Sequence, residues 1–396
     1  MKPLDALASW LHPVGQVSRR EVGILVSRPL YLFCMVIAPL FCCVFFTSLM
    51  DSGLPQDLPA GVVDLDDTSM SRNVARNLDA FALTGVMQRY ASVSEAREAV
   101  QRGEIYGFYL LPRDFSADAQ AQRQPKVSFY CNYSYLIAGS LLFRDMKTMS
   151  ELSSGAAARS MLYARGAAEE QIMPALQPIA IDAHPLGNPW LNYSVYLSNT
   201  LLPGVMGLLI MMITVCSIAI EIKHNTAKDW LRMGRGSIVR ALMGKLLPQT
   251  LVWLVVGLFM SVYLYRFLGF PCHSGIGPMI LAMAAFALAS QGLGVLMAGI
   301  FPTLRLGLSL ASLWGVLSLS ISGFSFPVMA MPGAVQSLSV LFPLRHYFLI
   351  YVNQALNGYS LHHAGLHYLA LAAFVLAPLL ILPRLKHALL HNTYTP

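Results

Sequence analysis

Charged side chains are scarce in this sequence, and acidic ones are nearly absent from most of it. Only 12% of the residues are charged and 56% are hydrophobic, whereas an average soluble domain carries about 25% charged residues. Sixteen of the 20 acidic and 12 of the 27 basic residues lie between 51 and 190, which leaves four acidic and fifteen basic residues elsewhere. This distribution indicates a soluble-looking insert, net −4, inside a basic and apolar frame, net +11.

The positive charge of the frame has two common explanations, nucleic acid and an anionic membrane surface. No motif for binding DNA or RNA accompanies it. We therefore attribute the charge to contact with an anionic cytoplasmic leaflet and predict no nucleic-acid partner.

The six cysteines form no disulfide framework. Four of them lie in apolar runs, where cysteine behaves as a small hydrophobic residue: Cys34, Cys42, Cys43 and Cys216. Cys131 and Cys272 are the two expected to face the outside. Connectivity cannot be read from sequence, so a bridge between these two stays open.

A phosphate-binding loop is also absent. The G-x-x-x-x-G-K-[ST] loop holds phosphates on its backbone N–H groups. The only Gly-Lys pair, Gly244-Lys245, is followed by Leu246, and position 239 is valine instead of glycine. We predict that this chain has no cofactor and no ATPase activity of its own.

Long uncharged runs predict an α-helical polytopic membrane protein. The run 30–50 has 21 residues without a charge, enough to cross about 30 Å of hydrocarbon as a helix, and it lacks the small-residue cleavage site of a signal peptide. Trimming the later runs at proline, glycine and polar clusters gives five more. The six predicted spans are 30–50, 198–220, 246–266, 278–300, 306–326 and 364–383.

Lysine and arginine in the short loops predict the orientation. With the N-terminus inside, the inner segments carry thirteen of these residues, and the short outer segments carry only Arg266 and Arg345. Both termini are therefore expected in the cytoplasm. Residues 1–29 would form an interface helix there, 51–197 an extracytoplasmic domain, and 198–396 the second to sixth spans.

The insert alternates between strand-like and helix-like segments, which predicts an inserted α/β domain. Strands are expected at 60–65, 84–90, 105–111 and 126–132, and helices at 69–80, 94–103 and from 112. A long helix, 133–168, and a further strand, 178–182, would follow.

The acidic stretch "GVVDLDDTSMSR" at 61–72 suggests either a metal or catalytic site or the start of a helix. Asp67, Thr68 and Ser69 have side-chain oxygens that can cap the next helix. Asp66 and Asp67 also lie near its positive end. Because no His, Cys or Glu lies close by in sequence, we favour the structural interpretation.

Several segments together resemble the bacterial ABC-transporter permeases of type 2. They are "AGVVDLDDTSMSRNVARNLDA", "EIKHNTAKDWLRMGRGSIVRALMGKLLPQ" and "SGFSFPVMAMPGAVQSLSVLFPLRHYFLIYVNQALNG". The resemblance implies one span, a large ectodomain and five further spans in the bacterial inner membrane. It also implies a cytoplasmic coupling loop at 221–245 and a re-entrant outer hairpin at 328–360.

The resemblance implies partners as well. ATP would be bound by separate ABC ATPase subunits, and the permease would form a homodimer or a heterodimer with a second permease. Members with such an ectodomain often export drugs or other hydrophobic molecules, with a periplasmic adaptor and an outer-membrane channel.

Two sets of candidate residues follow from the matched segments. For ATPase coupling they are Arg20, Glu21, Glu221, Thr226, Trp230 and Leu231, with the apolar Trp230 and Leu231 expected in a groove of the ATPase or at the lipid interface. The family loop usually reads Glu-x-Glu-x-Gly-Thr, and here Lys223 and Asn225 replace the second acid and the glycine. For a pathway or outer gate the candidates are Phe324, Phe326, Pro327 and Arg345.

One alternative class is a polytopic membrane sensor or enzyme that acts through its extracytoplasmic domain. The histidines at 362, 363 and 367 are its best candidate site, since 363 and 367 have the i,i+4 spacing of helical metal ligands. No acid or cysteine lies near them, so interfacial polar residues are the other interpretation. An adjacent ATPase gene would favour the transport subunit.

Overall fold

The computed structural model describes residues 3–392, and the side chains of 10–392. The described residues divide into two compact units, one of residues 3–51 with 185–392 and the other Ser52–His184. The first is a helical membrane unit and the second a small α/β domain. The predicted end of the insert at 197 therefore lies inside the membrane unit.

Six helices in the described part of the chain are long and apolar enough to cross a membrane, which confirms the predicted fold class. We refer to them as the first to sixth spans, in chain order: Pro29–Leu49, Tyr193–Lys223, Ile238–Phe267, Ile276–Ile300, Leu304–Ile321 and Leu361–Leu380. The second and fourth are the most buried, so they form the centre of the unit.

Several predicted span limits differ from the structure, and the largest difference is the start of the third span, at Ile238 instead of 246. Two other differences have local reasons. The second span begins at Tyr193 instead of 198, because the side chain of Asn192 accepts a hydrogen bond from the backbone N–H of Val195 at 3.1 Å and caps the helix. The fifth span ends at Ile321 instead of 326. Gly323 follows with a φ of 104°, a backbone conformation that only glycine adopts easily.

Further helices complete the membrane unit. The N-terminal helix, Pro3–Ser27, precedes the first span, and Leu382–His391 follows the sixth. A seven-residue helix between the second and third spans, Ala227–Met233, is called the connector helix below. The predicted hairpin 328–360 contains the helices Gly333–Ser339 and Pro343–Tyr351, and the latter continues in a wider turn, Val352–Leu356.

The α/β domain is built on a four-stranded sheet in the order β2-β1-β3-β4. The strands are β1 (Leu58–Asp64), β2 (Thr84–Tyr90), β3 (Gly107–Leu111) and β4 (Ser128–Cys131). β1 pairs in parallel with β2 and β3, and β4 runs antiparallel to β3. The central β1 is buried on both faces because helices connect the parallel strands, as its Val62 and Val63 show.

Four helices of this domain lie close to their predicted positions: Ser69–Asp79, Val93–Arg102, Phe115–Gln120 and the long Leu136–Ala164. A fifth helix, Glu169–Leu176, was not predicted. The predicted strand at 178–182 was wrong, since these residues form no regular structure. Pro178 cannot donate a ladder hydrogen bond, and Ile179 and Ile181 are about four-fifths exposed (77% and 80%). Cys131 and Cys272 are both free.

The acidic stretch starts a helix, and its three carboxylates have different roles. Asp64 accepts hydrogen bonds from the backbone of Asp66 and Asp67 at 3.2 and 3.0 Å. Thr68 is the N-cap, in a capping box with Ser71. Asp67 was wrongly predicted to cap the helix, since its own φ is 46° and its carboxylate pairs with the exposed Arg72.

Asp66 connects the start of this helix to the helix that follows β3, Phe115–Gln120. Its Oδ2 accepts hydrogen bonds from the hydroxyls of Thr68 and Ser116, both at 2.6 Å. Burial by itself would raise the pKa of Asp66, but the donors on Ser116 and Thr68 outweigh it and lower the pKa below its usual value. The stretch is therefore a hydrogen-bonded turn between β1 and two helices.

Candidate functional site

The N-terminal helix packs closely on the beginning of the third span. A Cβ built on Gly244 would lie 2.6 Å from the Cβ of Val17 and 2.8 Å from the carbonyl oxygen of Val14. The hydroxyl of Ser18 donates to the Gly244 carbonyl at 2.9 Å. Gly244 is therefore needed for helix packing, because a side chain at this position would separate the two helices.

This close approach brings Glu21 to the third span. Lys245 Nζ lies 2.7 Å from Glu21 Oε2, and Gln249 Nε2 donates to Glu21 Oε1 at 3.1 Å. All three side chains are at most 2% exposed. Lys245 and Gln249 are four residues apart, so both lie on one face of the third span.

Glu221, near the end of the second span, completes the cluster. Arg20 makes a bidentate contact with it, Nη1 to Oε1 at 2.8 Å and Nη2 to Oε2 at 2.9 Å. Lys245 Nζ also donates to Oε1 at 2.8 Å, and the hydroxyl of Thr226 donates to Oε2. The hydrogen bond to Glu221 raises the pKa of Arg20 further above its ordinary value, although burial opposes this.

We call these side chains the ion-pair cluster: Arg20, Glu21, Glu221, Thr226, Lys245 and Gln249. The positive charges of Arg20 and Lys245 balance the negative charges of the two glutamates. All four carboxylate oxygens accept a hydrogen bond. Buried charges need such saturation, since removing one partner commonly costs about 3–5 kcal/mol. The cluster therefore holds the N-terminal helix, the end of the second span and the start of the third in one arrangement.

The connector helix is held against the same region. Trp230 Nε1 donates to the carbonyl oxygen of Ala241 at 3.1 Å, and Lys245 Nζ lies 5.0 Å from the centroid of its ring, within the range of a cation–π contact. Asn225 has a φ of 56° where the family loop usually has glycine, and asparagine tolerates this conformation better than most residues.

Trp230 and Leu231 do not lie where the sequence suggested. We expected them in a groove of the ATPase or at the lipid interface, but they are 0% and 3% exposed and pack inside this chain. They belong to one buried hydrophobic cluster with Val17, Ala241 and Leu385. The two side chains therefore anchor the connector helix to the membrane unit, and a partner cannot contact them directly in this conformation.

The opposite face of the connector helix is exposed and charged. Asp229 and Arg232 form a surface ion pair at 3.2 Å, with side chains 70% and 79% exposed. Lys228 is exposed beside them. Surface pairs of this kind add little stability, so this face is available for another contact.

Comparison with known proteins identifies the family. The ABC-2 family transporter proteins match residues 29–382, which is most of the chain and includes all six spans. The chain belongs to this family. The linearmycin resistance permease protein LnrN of Bacillus subtilis (strain 168) is similar to it, with 22% identity over 342 residues, 82% of this chain and 86% of that protein. The chain is therefore a multi-pass ABC-2 membrane protein.

The second set of candidate residues of this ABC-2 protein lies at the opposite ends of the spans. The Phe324 carbonyl accepts a hydrogen bond from the Tyr196 hydroxyl, and its ring lies 6.4 Å from those of Tyr196 and Phe348. Phe326 and Pro327 are exposed. Arg345 is half-buried, and its guanidinium makes no hydrogen bond or ion pair within residues 3–392.

The structure pairs one candidate histidine with a residue that we had not considered. Nδ1 of His367 lies 3.5 Å from Nδ1 of His346, whose Nε2 is 2.9 Å from the Val340 carbonyl oxygen. His363 contacts the Ser360 hydroxyl instead. In the described part of the chain, no group of three His, Cys, Asp or Glu side chains could hold a metal ion.

Sequence reasoning missed Lys245 and Gln249. Lys245 was considered as part of a failed phosphate-binding motif and as one of the basic residues that predict the orientation, but not as a partner of Glu21 or Glu221. Two signals could have identified it. The frame has only four acidic residues, so Glu21 and Glu221, both next to apolar spans, need cationic partners. Lys245 directly precedes the uncharged run of the third span, and a second polar residue, Gln249, follows four positions later.

Proposed function

We propose that this chain is the membrane-spanning permease subunit of an ABC exporter in a bacterial inner membrane. A separate ATPase subunit binds ATP and drives export. Both termini and the connector helix lie in the cytoplasm, as the distribution of lysine and arginine favours. The ion-pair cluster supports this proposal most strongly, because it joins three elements at the end of the spans where an ATPase must act.

Force enters through the exposed face of the connector helix in this proposal. Lys228, Asp229 and Arg232 contact the ATPase, whereas Trp230 and Leu231 fix the helix to the third span. A push on the connector helix is then carried to the ion-pair cluster, since Lys245 contacts the Trp230 ring as well as both glutamates.

The second span carries the movement to the other side. Glu221 and Tyr196 lie on this one helix, 25 residues apart, which is about 37 Å at 1.5 Å per residue. Tyr196 holds the Phe324 carbonyl, so tilting the span moves the segment that contains Phe324, Phe326 and Pro327. This segment and Arg345 form the outer gate, and two permease subunits enclose the pathway.

The substrate class that we propose is a drug or another hydrophobic molecule. Support comes from the name of the similar protein, a linearmycin resistance permease. The sensor or enzyme alternative has no observation in its favour among the described residues.

Co-expression with the ABC ATPase encoded nearest to its gene tests the proposal. We expect a stable complex and ATP-driven transport in proteoliposomes. Reversing two charges, Lys228→Glu with Arg232→Glu, should leave the thermal stability of the permease unchanged and strongly reduce ATPase co-purification. Arg305→Glu is the matched control, because Arg305 is an exposed arginine outside the connector helix.

Two results would contradict the proposal. A permease that neither binds an ATPase nor supports ATP-driven transport in any co-expressed pair is not a transport subunit. A fully active complex from the charge-reversed double variant would remove the connector helix from the docking surface.

A further inference from the structure

A cavity lies beside the ion-pair cluster, between the N-terminal helix, the first span and the second span. It has a volume of about 140 Å³, far more than the roughly 10–15 Å³ that one water molecule needs. Its lining is mixed, with the hydroxyl-bearing Tyr31 and Ser217, the apolar Ile24 and Ile220, and charged groups.

The charges around the cavity favour an anion. The carboxylates that line it, Glu21 and Glu221, already accept hydrogen bonds on both oxygens from within the cluster. Arg28 lines the same cavity, and in the described part of the chain its guanidinium makes no hydrogen bond or ion pair. His224 lines it as well. The cavity therefore has an unused cation next to neutralised acids.

The position of the cavity matches the boundary of the bilayer. Arg28 immediately precedes the first span and His224 immediately follows the second. Since consecutive spans cross the membrane in opposite directions, these two residues lie at the same boundary. Phosphate groups of lipids are found at this depth, and basic side chains there attract anionic lipids.

Apolar side chains beside Arg28 favour a lipid over a free anion. Val26 and Leu30 flank it and are 81% and 58% exposed, and Leu32 and Phe33 continue this exposed apolar surface along the first span. Acyl chains can cover such side chains, whereas a free phosphate ion would leave them uncovered.

We propose that this cavity binds the phosphate group of an anionic membrane lipid. Arg28 makes the charged contact, with His224 and the Tyr31 hydroxyl beside it, and the acyl chains lie along the first span. The site is separate from the docking of an ATPase and does not depend on it.

Native mass spectrometry of the full-length protein in detergent tests this site, with phosphatidylglycerol and phosphatidylcholine as probes. We expect retention of one tightly bound phosphatidylglycerol and no comparable retention of phosphatidylcholine. Arg28→Gln should reduce the affinity for phosphatidylglycerol about tenfold, as expected for one lost charge-assisted hydrogen bond. Arg28→Lys should keep most of the affinity.

Arg305→Gln is the matched control, because Arg305 is an exposed arginine at the same boundary and does not line the cavity. It should retain the lipid fully. Thermal melting of each variant checks that it is folded, and Arg28 is exposed, so its replacement should not alter the fold.

Equal retention by Arg28→Gln and Arg305→Gln would overturn the proposal, as would equal retention of the two lipids. Inorganic phosphate distinguishes the source of the phosphate group. Millimolar phosphate should not displace the lipid from the wild-type protein. The lipid assignment would be overturned if phosphate displaced the lipid fully and if phosphate alone raised the melting temperature of the wild-type protein but not of Arg28→Gln. Those two results would show a site for free phosphate.

Discussion

The ammonium group of Lys245 lies 2.7 Å from the carboxylate of Glu21, and both side chains are no more than 2% exposed. The two residues are 224 positions apart in the sequence. Lys245 also contacts Glu221 and the ring of Trp230. One lysine thus connects the N-terminal helix, the second span and the connector helix.

Loss of this lysine should destabilise the protein strongly. Lys245→Met leaves Glu21 without its cation in a buried site, so we expect a loss of about 3–5 kcal/mol in the free energy of unfolding. The measurement is the midpoint of thermal unfolding in detergent, followed by size-exclusion chromatography. Lys228→Met, on the exposed face of the connector helix, should change the unfolding midpoint little.

A paired replacement separates charge from packing. Glu21→Gln with Lys245→Met removes both charges, and we expect it to recover much of the stability that Lys245→Met loses. A double variant as unstable as the sum of its single variants would show that the two side chains do not interact.

Trp230→Ala should cost about 3–5 kcal/mol, because a large and fully buried side chain is removed. Trp230→Phe should cost less, since it keeps most of the ring but loses the Nε1 hydrogen bond to Ala241, worth about 1 kcal/mol. The exposed Trp190, at 74%, is the control, and its alanine variant should stay within about 0.5 kcal/mol of wild type. Wild-type stability of Trp230→Ala would contradict the observed packing.

Asp66 should make the stability of the α/β domain depend on pH. Its folded pKa is lowered, so the ionised form is favoured by folding. The stabilisation is fully present above the unfolded pKa near 3.8 and is lost as the pH falls through the lower folded value. Hydrogen exchange of peptides from 58–120 in the full-length protein, measured between pH 6 and 3, follows this loss.

Asp67 provides the matched control in the same turn. Asp66→Asn should cost roughly 1 kcal/mol and reduce the pH dependence in that range. Asp67→Asn removes only an exposed ion pair, so it should leave the stability and its pH dependence nearly unchanged. If both variants behaved alike, the hydrogen bonds from Thr68 and Ser116 would not be what distinguishes Asp66.

Labelling of single cysteines tests the proposed orientation. In a variant without the six native cysteines, Gln124→Cys in the α/β domain should react with an impermeant maleimide on intact cells. Lys228→Cys should react only after the membrane is permeabilised. Both positions are exposed in the structure, so the difference reports their side of the membrane. The reverse pattern would show the opposite orientation.

Local patterns in the sequence were sufficient for much of the fold. The length of an uncharged run reports a span directly, because the bilayer sets the length of the helix that crosses it. In the α/β domain the limits of β2, Thr84–Tyr90, were predicted to the residue. The isolated 178–182 segment misled us, since strand-like composition forms a strand only when a neighbouring strand supplies hydrogen bonds.

The sequence by itself determined the number of spans, the position of the α/β insert and the presence of charged residues around 20, 221 and 245. Only the tertiary structure decided that these charges meet, that Gly244 allows the approach and that Trp230 is buried within the chain instead of in a partner. The physical reason is that periodicity indicates which face of a helix is apolar, whereas the partner of that face depends on packing between elements more than 200 residues apart.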